Sequence, residues 1–210
     1  NTYNGGLTVA QKATLAMNGK SITGTLTIED GATVNGVASA TDIAVGTYTN
    51  SQGMQATGDI TVGTSLSSSA DITAGKITGA GDVTITGGTV TLSDTTDAFA
   101  NSGATGISGA TLAGTWNADG VTIGAGTTVS GTIGLADSTI NSTIENTGSI
   151  ALSGSITVGV EGVIGESLYT HNGIKAEVGN GYRSGVTDYQ LVTGGTITAD
   201  GVENWQRCRL

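Results

Sequence analysis

Apolar and polar residues alternate along most of this chain in runs of four to six, and a glycine closes almost every run. "GTLTIEDGATVNG" (residues 24–36) sets Leu26 and Ile28 on one side and Thr25 and Thr27 on the other. "GDVTITGGTVTLSD" (residues 81–94) repeats the device twice, with Val83 and Ile85, then Val90 and Leu92. It continues through Val121, Ile123, Val129, Ile133, Ile150, Leu152, Ile156 and Val158. A period of two carried by β-branched residues is the pattern of a half-buried strand. The best helical candidate is "TVAQKATLAMNG" (residues 8–19), where Val9, Ala13, Ala16 and Met17 could share a face.

The predicted strands are short and follow one another closely. Asn-Gly and Asp-Gly pairs mark many junctions: Asp30-Gly31, Asn35-Gly36, Asp119-Gly120 and Asn172-Gly173. Such pairs tolerate positive φ and suit hairpins, but they also suit the corners of a solenoid. Two features favour the solenoid. The outward positions are mostly Thr, Ser and other small residues, which stack as ladders. Aromatic residues make up only 4% of the chain, too few for the usual aromatic centre of a sandwich. The expectation is an all-β, parallel β-helix whose three faces of about seven residues give a rung near twenty. The alternative is a β-sandwich or jelly roll.

Composition supports a folded chain. Among 210 residues there are 36 Gly, 37 Thr and no Pro, a mixture that would suit a flexible linker. The 37% hydrophobic content, spread evenly, argues instead for a buried core. Net charge is −10, and between Ser21 and Ile174 thirteen carboxylates face a single basic residue, Lys76. No cluster of Lys and Arg exists there to displace counterions, which argues against nucleic acid as a partner. No apolar run approaches the length of about 18 residues needed to span a bilayer, so membrane insertion by this segment is not expected. The lone Cys208 excludes an internal disulfide.

The opening stretch, Asn1-Thr2-Tyr3-Asn4-Gly5-Gly6-Leu7-Thr8-Val9 followed by Ala13-Thr14-Leu15, resembles the passenger-associated strand repeat of bacterial autotransporters. That repeat reads N-T-Y-x-G-G-T-x-[IV], then G-T-L a few residues on; Leu7 here replaces its threonine and Ala13 its glycine. The explicit match covers about fifteen residues and occurs once, and the rest of the chain is similar only in texture. The resemblance implies a right-handed parallel β-helix exported to the cell surface, serving in adhesion, aggregation or biofilm formation. It further implies that residues 1–19 form a rung, which displaces the helical reading. The family's C-terminal membrane barrel has no counterpart here, so the expectation is either a processed passenger or fragment, or a β-helix of a different system.

Candidate chemistry is sparse. Glu29-Asp30 is the one adjacent acid pair, and on a strand its side chains would point apart, so a turn is expected there. His171 stands alone, without the partners of a triad or metal site. Polysaccharide lyases and hydrolases need clustered carboxylates and, for lyases, a basic residue; Lys76 does not supply that set. No enzyme activity, metal or cofactor is expected. Thr-x-Thr pairs at Thr25/Thr27, Thr47/Thr49, Thr84/Thr86, Thr89/Thr91 and Thr196/Thr198 raise ordered-water or ice binding, though their spacing is too uneven for one flat array.

Composition shifts near Glu166, after which come Tyr169, His171, Tyr182, Tyr189, Trp205 and four of the seven basic residues. Residues 1–165 are therefore expected to form the β-helix body, and residues 166–210 a capping or contact segment. Tyr3, Tyr182, Arg183, Trp205, Arg207 and Arg209 are the candidate assembly contacts. The expected function is an extracellular or cell-surface adhesive β-helix, its partners copies of itself joined head to tail or a surface ligand. A filament or surface-layer subunit is the alternative, and a polysaccharide-active enzyme the third reading.

Overall fold

A computed structural model describes residues 2–142 and 144–153, together with the backbone of the short strands Thr157–Val158, Tyr169–His171, Ile174–Ala176, Val192–Thr193, Thr196–Ala199 and Gln206–Arg207. The chain winds as a parallel β-solenoid of about 9 turns, each about 17 residues long. The described residues contain no helix. Among the described residues two facing antiparallel sheets, the alternative expectation, do not occur. The helical candidate folds instead as the strands Leu7–Val9 and Thr14–Ala16, with Lys12 and Asn18 at positive φ between and after them.

Three columns of inward residues define three faces. On the first face Leu7, Leu26, Ile43, Ile60 and Ile77 lie in register, followed by Phe99, and then by Trp116, Ile133 and Ile150. The second runs through Asn50, Ser68, Ile85, Ile107, Ile123 and Ile140. The third runs through Met54, Ile72, Val90, Leu112, Val129 and Asn146. Nearly all the aliphatic members are fully buried in one continuous core. Parallel sheets are usually covered on both sides and read as unbroken apolar runs. Here each strand covers the core on one side only, so the alternation seen in the sequence survives. Truncating one such buried Ile or Leu to Ala typically costs about 2–5 kcal/mol.

Turns are shorter than the twenty residues expected, because the corners are tight. Gly31, Gly36 and Gly120, each following an Asp or Asn, adopt φ of 73°, 88° and 66° at such corners. That conformation is free of Cβ strain only in glycine. The turn from Ile77 to Phe99 is five residues longer than its neighbours, and the extra length bulges out around Ser93–Asp97. Directly after the bulge the core admits Phe99 and Trp116, packed edge to face at 5.6 Å between ring centroids. Trp116 is 0% exposed, and its Nε1 donates to the Ala113 carbonyl at 2.8 Å. The interior here holds two of the few aromatic residues.

Beyond Ile150 the next in-register residue on the first face is Ile197. Val192–Thr193, Thr196–Ala199 and Gln206–Arg207 pair parallel with strands of the preceding turn. Earlier in the sequence the strands Tyr169–His171 and Ile174–Ala176 pair antiparallel with each other.

Candidate functional site

At several corners the chain leaves the ladder, and some backbone amides there have no carbonyl partner in the adjacent turn. Such an amide takes water or a side-chain acceptor instead. Carboxylates supply it, from about one turn away. The Gln11 amide donates to Glu29 Oε2 at 3.0 Å and the Asp59 amide to Asp42 Oδ1 at 3.0 Å. The Thr89 amide donates to Asp71 Oδ1 and the Ala104 amide to Asp82 Oδ1, both at 2.8 Å. Thr47 donates likewise to Asp30. Glu29 and Asp30 therefore act separately, each bonded to the backbone of a different turn. The acids tie successive turns together as well as carrying surface charge. Their recurrence, about one or two per turn, is the signal in the sequence that could have shown this.

The bulge at Ser93–Asp97 is organised by Asp94. Its Oδ1 accepts the amides of Thr96 at 2.7 Å and Asp97 at 3.2 Å, and Lys76 Nζ lies 3.7 Å from Oδ2. These amides, with the lysine beyond them, hold the Asp94 carboxyl below its ordinary range. The Asn117 side chain, from the next turn, donates to the Thr95 carbonyl.

The core itself carries polar residues. Asn50 Nδ2 donates to Ser68 Oγ at 2.8 Å, its Oδ1 accepts the Gly53 amide at 2.9 Å, and Ser68 Oγ donates to the Ala70 carbonyl at 2.9 Å. Further along the same face Thr105 Oγ1 donates to Asn101 Oδ1 at 3.0 Å. Tyr48, beside Asn50, is 7% exposed, and burial pushes its phenol above the ordinary value.

Two open depressions mark the surface of the first turns. One, about 590 Å³, is bordered by Gln11, Thr27, Glu29, Asp30 and Gly46. The other, about 410 Å³, lies between Gly31–Asn35 and Thr47–Gln52. Among the described residues no three His, Cys, Asp or Glu side chains come together as a metal would require.

The Thr-x-Thr pairs are distributed over all three faces. Thr25/Thr27 lie on the first, Thr47/Thr49 and Thr84/Thr86 on the second, and Thr89/Thr91 on the third. Thr196/Thr198 return to the first face by backbone register. Individual hydroxyls touch between turns, as in Thr61–Thr78 at 3.2 Å and Thr111–Thr128 at 2.9 Å.

Of the candidate assembly contacts, Tyr3 is 52% exposed on the strand Thr2–Tyr3. Arg207 is placed by backbone alone, in register with Val158. Tyr182, Arg183, Trp205 and Arg209 lie outside the described residues, as does Cys208; His171 is placed by backbone alone. Compared with known proteins, the chain matches no family model, no curated protein and no solved structure.

Proposed function

We propose that this solenoid is the shaft of an extracellular bacterial surface protein, adhesive through its flat faces and similar in role to an autotransporter passenger. The observation that supports this reading is the hydroxyl column on the second face, where Thr49, Ser67 and Thr84, and beyond Gly106 also Thr122 and Thr139, lie in register on the outward side. Columns of this kind present a regular, uncharged hydrogen-bonding surface. Glu29, Asp30, Asp42, Asp71 and Asp82, by contrast, are engaged with backbone amides of neighbouring turns, a structural use that leaves the faces themselves for contact. The opening repeat around Tyr3 supports the passenger assignment, and export to the surface follows from it.

The test is retention under flow. Beads coated with the purified chain are passed over epithelial cell layers, over surfaces coated with the same chain, and over bare glass. Retention about 10-fold above albumin-coated beads on any one surface is the expected result. Retention equal to albumin on all three would overturn the proposal. So would depolymerisation of a polysaccharide that a single Asp→Asn change abolishes.

A further inference from the structure

Among the described residues the second face is interrupted once. The strand Thr33–Asn35 pairs with Thr14–Ala16 of the turn before it in a separate two-stranded sheet. No ladder joins it to the second half of the strand Ala38–Asn50 in the turn after it, although residues 47–50 pair normally with residues 65–68 on their other side.

Strand geometry fixes what faces this gap. In a parallel strand the N–H and C=O of one residue point to the same neighbour, and those of the next residue point the opposite way. Thr33 N–H donates to the Ala13 carbonyl, and the Asn35 carbonyl accepts the Met17 amide, so both residues address the preceding turn. Val34 therefore directs its N–H and C=O into the gap. The Asn50 carbonyl accepts the Ser69 amide, so Asn50 addresses the following turn and Thr49 directs its own groups back towards Val34. The Thr47 amide, on the same side as Thr49, takes the Asp30 carboxylate where a strand would otherwise sit. A depression of about 410 Å³, open to solvent, is lined by both edges.

We propose that this opening receives an extended peptide segment of another protein, inserted as a strand between Thr33–Asn35 and residues 47–50. The edges on either side offer backbone donors and acceptors, which an extended main chain matches and a small polar solute does not. A strand the length of Thr33–Asn35 spans about 10 Å at roughly 3.3 Å per residue, so the insert is three to five residues long. Its inward side chains would meet the buried Val34 and Tyr48 and extend the apolar column. Its outward side chains would lie beside Thr33 and Thr49. The lining carries no charged side chain, and Asp30 stands next to it. The insert is therefore uncharged, with β-branched residues alternating with hydroxyl residues.

The probe is acetyl-Thr-Val-Thr-Val-Thr-amide, titrated into the whole chain and followed by amide hydrogen exchange. Saturable binding is expected, with exchange at Val34 and Thr49 slowed about 10-fold and exchange at Leu112 on the third face unchanged. The same peptide N-methylated at both valines loses those donors and should bind about 10-fold more weakly. Absence of saturable binding at millimolar peptide, or equal binding of the methylated peptide, would overturn the proposal. Strong protection of Val34 and Thr49 in the peptide-free chain would overturn it too, and sedimentation would then show whether a second copy fills the opening.

Discussion

Asn50 and Ser68, one turn apart on the second face, meet inside the core through a hydrogen bond of 2.8 Å from Asn50 Nδ2 to Ser68 Oγ. Asn50 Oδ1 at the same time holds the Gly53 amide at 2.9 Å. Replacing Asn50 with Ala strands that amide, and an unsatisfied buried donor costs about 1–3 kcal/mol. Denaturant unfolding of Asn50→Ala should show a loss of that size. Adding Ser68→Ala should cost less than the two single losses summed, because the partners share one network. Strict additivity would contradict the shared network.

The Asp94 carboxyl, held low by the Thr96 and Asp97 amides and then by Lys76, ionises more readily folded than unfolded. Its contribution is complete above the ordinary aspartate value of about 3.9 and is lost as pH falls through the lower folded value. Asp94→Asn should therefore lower the unfolding temperature at about pH 6 and leave it unchanged at about pH 2. A difference between the two proteins that persists unchanged at acid pH would contradict this account.

Tyr48 behaves in the opposite sense. Burial raises its phenol, so the neutral form is favoured in the fold. Its contribution is full below the ordinary value of about 10 and disappears as pH rises through the raised value. Tyr48→Phe should therefore flatten the alkaline decline in stability, read from thermal melts between about pH 9 and pH 12. An identical alkaline decline in both proteins would exclude Tyr48 as its source.

Gly79 ends the strand Ile77–Gly79 at φ of 111°, and a Cβ placed there would collide with the Val62 carbonyl oxygen of the preceding turn. Gly79→Ala should lower stability by more than about 1 kcal/mol, since both the dihedral and the contact oppose it. Gly106, whose Cβ would meet nothing within 4 Å, is the control. Gly106→Ala should change stability by no more than about 0.5 kcal/mol. Equal effects on the urea midpoint would remove the steric explanation.

The inward positions were legible because one-sided burial leaves its period of two in the sequence: Leu26, Ile28, Val83, Ile85, Val121 and Ile123 all point into the core. Ile156 and the Val158 side chain fall outside the described residues. The corners at Gly31, Gly36 and Gly120 were legible through the acid or amide before each glycine. Turn length was not. The bulge at Ser93–Asp97 shifts the register between Ile77 and Phe99, which hides the repeat of about 17 residues from inspection. Asn50 and Ser68 also escaped, because a polar residue at an inward position is indistinguishable from a loop residue until its partner one turn away is known. The roles of the carboxylates lay hidden for the same reason: the amide each accepts is remote in sequence. The opening beside Val34 leaves no mark in the sequence, since Thr33–Asn35 alternates like any other strand.

The strands lie across the direction in which turns stack, and their hydrogen bonds lie along it. Tension applied between the two ends of such a shaft meets these bonds end-on. They part a single turn at a time, and the load never spreads over a whole sheet in shear. A tethered particle would thus be held by a tether that lengthens stepwise under drag. Each step would release one turn and leave the turns below intact.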